Sequence, residues 1–134
     1  METKLSVLGQ FLTTGVDIIE IERIRQSVKR WGERFLDRIY TKQELYYCKG
    51  RIPNLAGRFA AKEAAMKALG TGIVGVGWKE VEIVKLKGEG PFLKLHGRAL
   101  NKAQSLCLQQ LAVSISHSKH YAIATVVGVR QVNH

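Results

Sequence analysis

Cysteine is almost missing from this chain, and with it any disulfide framework or cysteine-rich metal centre. Cys48 and Cys107 are the only two in 134 residues, at no metal-ligand spacing. Both read as buried or half-buried thiols in a reducing compartment. Proline is as scarce, with two residues against a hydrophobic content of 46%, which argues against disorder. Aromatics reach 7%. They form no ribonucleoprotein sheet signature, and no helix-turn-helix pattern is present, which counts against a nucleic-acid-binding module. No apolar run approaches membrane-spanning length. Residues 1–10 lack the basic start and continuous apolar segment of a secretory signal, so a cytoplasmic protein that is not membrane-bound is expected. Repeats, low-complexity stretches and linkers are lacking too. Residues 1–134 are expected to form a single domain with a real core.

Acidic residues are the last scarcity. Eleven Asp/Glu face 21 Lys/Arg, a net charge of +10. The excess is uneven, for residues 23–51 hold nine Lys/Arg and three Asp/Glu. Such a field attracts nucleic acid, anionic membrane, an acidic protein or a phosphorylated ligand, and charge alone does not choose among them.

What is present reads as alternating helices and hairpins. A strand is expected near Gly15–Ile18, then a helix from about Glu20. Ile21, Ile24, Val28, Trp31 and Phe35 recur at helical spacing, and Gly32 is placed to break that run. Thr41-x-x-Glu44 is a capping-box pattern opening a short helix. Asn54 to Gly72 is one Ala-rich helix closed by Gly70, since Ala favours helix and Gly takes the left-handed cap. Val81–Leu86 and Phe92–His96 form a hairpin around Lys-Gly-Glu-Gly-Pro. Ala99, Leu100, Ala103, Leu106 and Cys107 mark an amphipathic helix. Leu111–His117 and Tyr121–Val129 form a second hairpin, whose last strand is apolar on both sides. The fold class is α+β, with an antiparallel sheet packed against helices.

Charged residues in the Ala-rich helix carry the chemistry. Arg58, Lys62, Glu63 and Lys67 need solvent or a partner, because unpaired burial is costly. A metal-bound polyphosphate is one such partner. Glu63 and Lys67, four apart, share a face. Asp17 lies inside an apolar run and has two readings. It caps the following helix in an Asp-x-x-Glu20 box, or it binds a hard cation such as Mg²⁺, with Glu63 as second carboxylate. Gly70-Thr-Gly-Ile-Val-Gly-Val-Gly77 is no Walker loop. It is a flexible connection or a phosphate-cradling turn. His117, between Ser116 and Ser118, shares the face of Leu111, Val113 and Ile115. It is a structural residue or part of an anion site. No Gly-x-Ser-x-Gly elbow exists, which excludes that serine-hydrolase design.

Four segments in order resemble one family. They are Gly15-Val-Asp-Ile-Ile-Glu-Ile-Glu-Arg-Ile24, Leu55-Ala-Gly-Arg-Phe-Ala-Ala-Lys-Glu-Ala64, Lys67-Ala-Leu-Gly-Thr-Gly72 and Ser114-Ile-Ser-His-Ser118. The chain is similar to the holo-[acyl-carrier-protein] synthases, short 4'-phosphopantetheinyl transferases, from about Thr14 to Val129. The resemblance implies Mg²⁺-dependent transfer of phosphopantetheine from coenzyme A to a carrier-protein serine, releasing adenosine 3',5'-bisphosphate. It also implies a homotrimer with active sites between subunits.

By the same resemblance Asp17 and Glu63 are the metal ligands, and Lys67 lies beside the pyrophosphate. Glu63 and Lys67 are the catalytic pair. The serine proton goes to Glu63 or to a water held by the cation. Arg58, Lys67, Gly70, Thr71, Gly72 and His117 line the coenzyme A site. Arg23 contacts an acidic acyl carrier protein, on a surface extended by Arg34, Phe35, Arg38, Phe59 and Trp78. Arg23, Ser27, Arg30 and Arg34 form one stripe if the helix continues past Gly32. The chain departs from the family in Thr13, where Gly is usual, and in about a dozen extra N-terminal residues. Two other classes stand beside this reading, a small basic RNA-binding module and a carrier-protein-binding subunit without catalysis.

Overall fold

A computed structural model of the protein describes residues 12–131. The signal-peptide reading of residues 1–10 lies outside them. Strand β1 (Leu12–Glu20) leads into α1 (Ile21–Trp31), α2 (Glu33–Ile39), α3 (Lys42–Cys48) and the long α4 (Ile52–Leu69). There follow a helical turn, α5 (Gly72–Gly75), a 3₁₀ turn (Trp78–Glu80), β2 (Val81–Val84) and β3 (Phe92–Leu95). The described residues close with α6 (Gly97–Ser105), β4 (Leu108–His117) and β5 (Tyr121–Arg130). The sheets are antiparallel, ordered β1-β5-β4 and β2-β3. The α+β class therefore stands.

β1 is longer than its apolar centre suggests, because its whole length pairs with β5, from Leu12 opposite Val129 to Glu20 opposite Tyr121. Gly32, at φ 56° and ψ −132°, ends α1 and starts α2. The basic stripe from Arg23 to Arg30 thus does not run on through Arg34 as one helix. Thr41 caps α3 as expected. Its hydroxyl accepts from the Glu44 amide at 3.2 Å, and its amide donates to Glu44 Oε1 at 2.8 Å. The Asp17–Glu20 capping box is not formed. Asp17 lies within β1 opposite Ala124, and Glu20 precedes α1 without a side-chain cap. The glycine-rich connection is not a simple loop but contains the single turn α5.

α4 lies across the large sheet. Its alanines Ala56, Ala60, Ala61, Ala64, Ala65 and Ala68 are all buried. Small side chains let the backbones approach, most closely at Gly15, where a Cβ would fall 1.9 Å from the Ala64 carbonyl oxygen. β5 has its two apolar faces, and the described residues cover one of them. Ala122, Ala124 and Val126 are buried, while Tyr121, Ile123, Val127 and Val129 are exposed.

Lys62 has a protein partner rather than a phosphate. Its ammonium is fully buried 2.8 Å from Glu44 Oε1, and it donates to the carbonyls of Trp78 at 3.0 Å and Val81 at 2.6 Å. Burial pushes Lys62 below the ordinary lysine range, and Glu44 opposes that shift. Removing one member of such a pair typically costs about 3–5 kcal/mol, far more than the roughly 0.5 kcal/mol of an exposed helical pair.

Candidate active site

Strand alternation turns Gly15, Asp17 and Ile19 toward α4. Glu63 and Phe59, four apart, project from the facing side of that helix. Arg23 follows from the first turn of α1, and Phe35 closes over from α2. Asp17, Arg23, Ser27, Phe35, Phe59 and Glu63 line one cavity of about 210 Å³. The Phe59 ring stacks on Trp78, with centroids 4.8 Å apart.

The two carboxylates affect one another. Burial pushes the Glu63 carboxyl above the ordinary range, and the negative charge of Asp17 pushes it the same way. Lys67 and Arg23 pull it back only in part. Lys67 does not pair with Glu63. Its ammonium lies 3.2 Å from Asp17 Oδ1 and donates to the Val16 carbonyl at 2.9 Å. Two facing carboxylates, one destabilised by the other's charge, suit a cation. Oxygen donors alone suit a hard one. Among the described residues no group of three or more His, Cys, Asp or Glu converges. A metal held by Asp17 and Glu63 would have two protein ligands and would draw the rest from water and phosphate, the habit of Mg²⁺. The residues therefore fit Mg²⁺.

The other expected site residues divide. Arg34 and Arg38 are exposed on α2, either side of half-buried Phe35. Gly70 caps α4 in the left-handed conformation, and Gly72 also has positive φ. Between them, the buried Thr71 hydroxyl has no hydrogen-bond partner among the described residues.

Arg58 and His117 do not line the carboxylate cavity. Arg58 is buried with its guanidinium 4.3 Å from the Tyr47 ring centroid, and its Nε has no hydrogen-bond partner among the described residues. His117 is exposed at the end of edge strand β4, opposite Ala122, which in turn faces Ile19 of β1. It is therefore two strand spacings from β1, roughly 10 Å.

A second cavity, of about 840 Å³, is larger, and among the described residues no carboxylate lines it. Lys42, Tyr46, Tyr47, Lys49, Arg51 and Lys85 are among its lining residues. Arg51 and Arg58 both pack against the Tyr47 ring. The smaller recess differs from this cavity in bringing two carboxylates, Asp17 and Glu63, together with the Arg23 guanidinium. Reading the sequence for motifs missed the larger cavity, although the basic excess over residues 23–51 was its signal.

A sequence model of the 4'-phosphopantetheinyl transferase superfamily matches residues 13–126. The chain belongs to that superfamily. Among its relatives in this transferase superfamily, the holo-[acyl-carrier-protein] synthase of Dehalococcoides mccartyi strain 195 is 51% identical over 116 residues, covering 87% of this chain and 97% of the relative. The synthase of Herpetosiphon aurantiacus is 47% identical over 125 residues, covering 88% and 98%. The Helicobacter pylori synthase, solved in complex with coenzyme A, superposes with a TM-score of 0.79 at 37% identity, over 86% of this chain and 98% of that one. The transferase fold expected from the four motifs is the fold observed.

Proposed function

We propose that the chain transfers 4'-phosphopantetheine from coenzyme A to a serine of an apo acyl carrier protein, in the cytoplasm, with Mg²⁺ as cofactor. The observation that carries this is the meeting of Asp17 and Glu63 in one recess, with Lys67 bridging from α4 to β1. The serine oxygen bonds to the β-phosphorus. The bond from that phosphorus to the bridging oxygen breaks, and adenosine 3',5'-bisphosphate leaves with the electron pair.

Such a transfer needs alignment and charge compensation more than covalent help. Asp17 and Glu63 would hold the cation, which when bound neutralises phosphate charge. Lys67 presents an ammonium to the pyrophosphate. Glu63 is also a proton acceptor in the same recess. The Thr71 hydroxyl, between Gly70 and Gly72 and without a partner among the described residues, supplies a donor for a phosphate oxygen. The basic, tyrosine-walled cavity suits the nucleotide end of coenzyme A and brings in Arg58 through Tyr47.

The deciding experiment incubates the protein with coenzyme A, Mg²⁺ and apo carrier protein, and weighs the carrier. A mass gain of one phosphopantetheine supports the reading. Carrier binding without a mass gain favours the inactive subunit, and retention of RNA in place of carrier favours the nucleic-acid module.

The carrier surface is assigned to Arg23, Arg34, Phe35, Arg38, Phe59 and Trp78. Arg23 is exposed at the mouth of the recess, and Arg34 and Arg38 extend the positive field. Such fields speed association with an acidic partner and fade with salt. Arg23→Glu should raise KM for the carrier about tenfold or more and change KM for coenzyme A less than about twofold, since a rim charge acts on encounter. Steady-state kinetics varying each substrate in turn checks this. An equal loss for both substrates would displace the carrier surface.

The homotrimer that the family resemblance implies is proposed for this chain, and the outer face of the large sheet supports association between copies. Leu12, Val16, Ile18, Tyr121, Ile123, Val127 and Val129 are exposed there together, on facing rows of β1 and β5. Contiguous apolar patches of this kind mark association surfaces. Sites formed between copies let the carboxylate recess of one face the basic cavity of another. Ile123→Lys should convert the assembly to monomers in sedimentation equilibrium. A wild-type chain that sediments as a monomer refutes the trimer.

A further inference from the structure

α4 has an unusual problem of rotation. A helix with one apolar stripe is oriented by that stripe. α4 is buried nearly all round, by alanines whose methyl groups interlock weakly. Yet its angle about its own axis decides where Glu63 points. Rotation by about 20° carries an atom at the outer radius, roughly 6 Å, through about 2 Å. Misplacement by about 1 Å can cost on the order of a hundredfold in rate.

Lys62 is adjacent to Glu63 in sequence and leaves the helix about 100° round from it. Its ammonium has three donors, and three acceptors surround it: Glu44 Oε1, the Trp78 carbonyl and the Val81 carbonyl. Glu44 is fixed in turn by the amides of Thr41 and Ile83, each donating to a different carboxylate oxygen. The anchor therefore belongs to α3, the 3₁₀ turn and β2 together. Trp78 also stacks on Phe59 in the carboxylate recess.

We propose that Lys62 is a positioning residue. Its buried ammonium sets the rotation of α4, so that Glu63 faces Asp17 and Phe59 meets Trp78. It touches no substrate and acts through those neighbours. This rests on the assignment of Asp17 and Glu63 as the metal site.

Mn²⁺ binding in the presence of coenzyme A, followed by electron paramagnetic resonance, tests it without turnover. Lys62→Met with Glu44→Gln removes both charges and leaves no lone ion buried. Lys62→Arg keeps the charge but cannot reach both carbonyls in the same geometry. Leu106→Ala, at the end of α6, serves as a control for general destabilisation. Both Lys62 variants should bind Mn²⁺ at least about tenfold more weakly and lose turnover at saturating carrier, while the control, compared at equal loss of Tm, does neither. Affinity within about twofold of wild type in either folded variant overturns the proposal. So does a matching loss in the control, or failure of both variants to fold. A wild-type protein that neither binds Mn²⁺ nor modifies carrier overturns the proposed function instead.

Discussion

Glu63→Gln should abolish transfer, lowering kcat by about a thousandfold or more, and leave the protein folded. Asp17→Asn should do the same. The expectation follows from the geometry of the recess. Each side supplies one carboxylate, and no third ligand among the described residues stands ready to take over. Removing a single group that stabilises transition-state charge typically costs about 10²–10³ in rate. A lost metal ligand adds weakened cation binding to that. Folding should not suffer, and the sign can be worked out. The Glu63 carboxyl is raised, by burial first and by Asp17 second. A raised carboxyl favours the folded metal-free chain at low pH, and that contribution is lost as pH rises through the folded value. At neutral pH the charged Glu63 is therefore a burden on the metal-free protein. Glu63→Gln should unfold at a temperature equal to or above wild type, with the difference shrinking in acid. Asp17→Asn should bring the Glu63 carboxyl back toward its ordinary range, observable by NMR titration without metal. Near wild-type turnover of folded Glu63→Gln at saturating Mg²⁺ would remove Glu63 from the metal site.

Local features of this fold were legible in the sequence, and distant pairings were not. The Thr41–Glu44 box, the Gly32 break and the Gly70 cap each depend on a few neighbouring residues, and each forms where the residues place it. Asp17 misleads because Asp-x-x-Glu fits a helix start. Pairing with β5 carries the strand on to Glu20 and leaves Asp17 three residues too early to cap. Lys62 misleads in the opposite direction. A lysine beside Glu63 on an Ala-rich helix suggests phosphate, yet Glu44 lies in another helix and no periodicity links the two. Lys67 finds Asp17, 50 residues away, rather than Glu63 one turn back. The meeting of Asp17 with Glu63 was implied by family resemblance and by no spacing rule. What makes it possible physically is Gly15, whose missing side chain lets β1 come against α4.

Lys67→Ala should lower kcat about a hundredfold or more while leaving coenzyme A affinity within about threefold. The ammonium now lies against Asp17 Oδ1 and the Val16 carbonyl, with its side chain 55% exposed. An exposed ion pair of that kind contributes about 0–1 kcal/mol to stability. Stability alone therefore gives little reason for the residue to sit there. Charge moving onto the departing bisphosphate gives a larger one. A cation beside the bridging oxygen is worth more as that oxygen gains charge than while it is still shared between two phosphorus atoms. Rate should therefore suffer more than binding. If Lys67 only neutralised Asp17, its removal would leave Asp17 freer to hold Mg²⁺, and kcat at saturating metal would stay level or rise. Calorimetry with coenzyme A and steady-state kinetics across Mg²⁺ concentrations separate the two roles. A kcat within about threefold of wild type corresponds to a barrier change of roughly 0.7 kcal/mol. That is no more than an exposed pair provides, and it would leave Lys67 without a catalytic role.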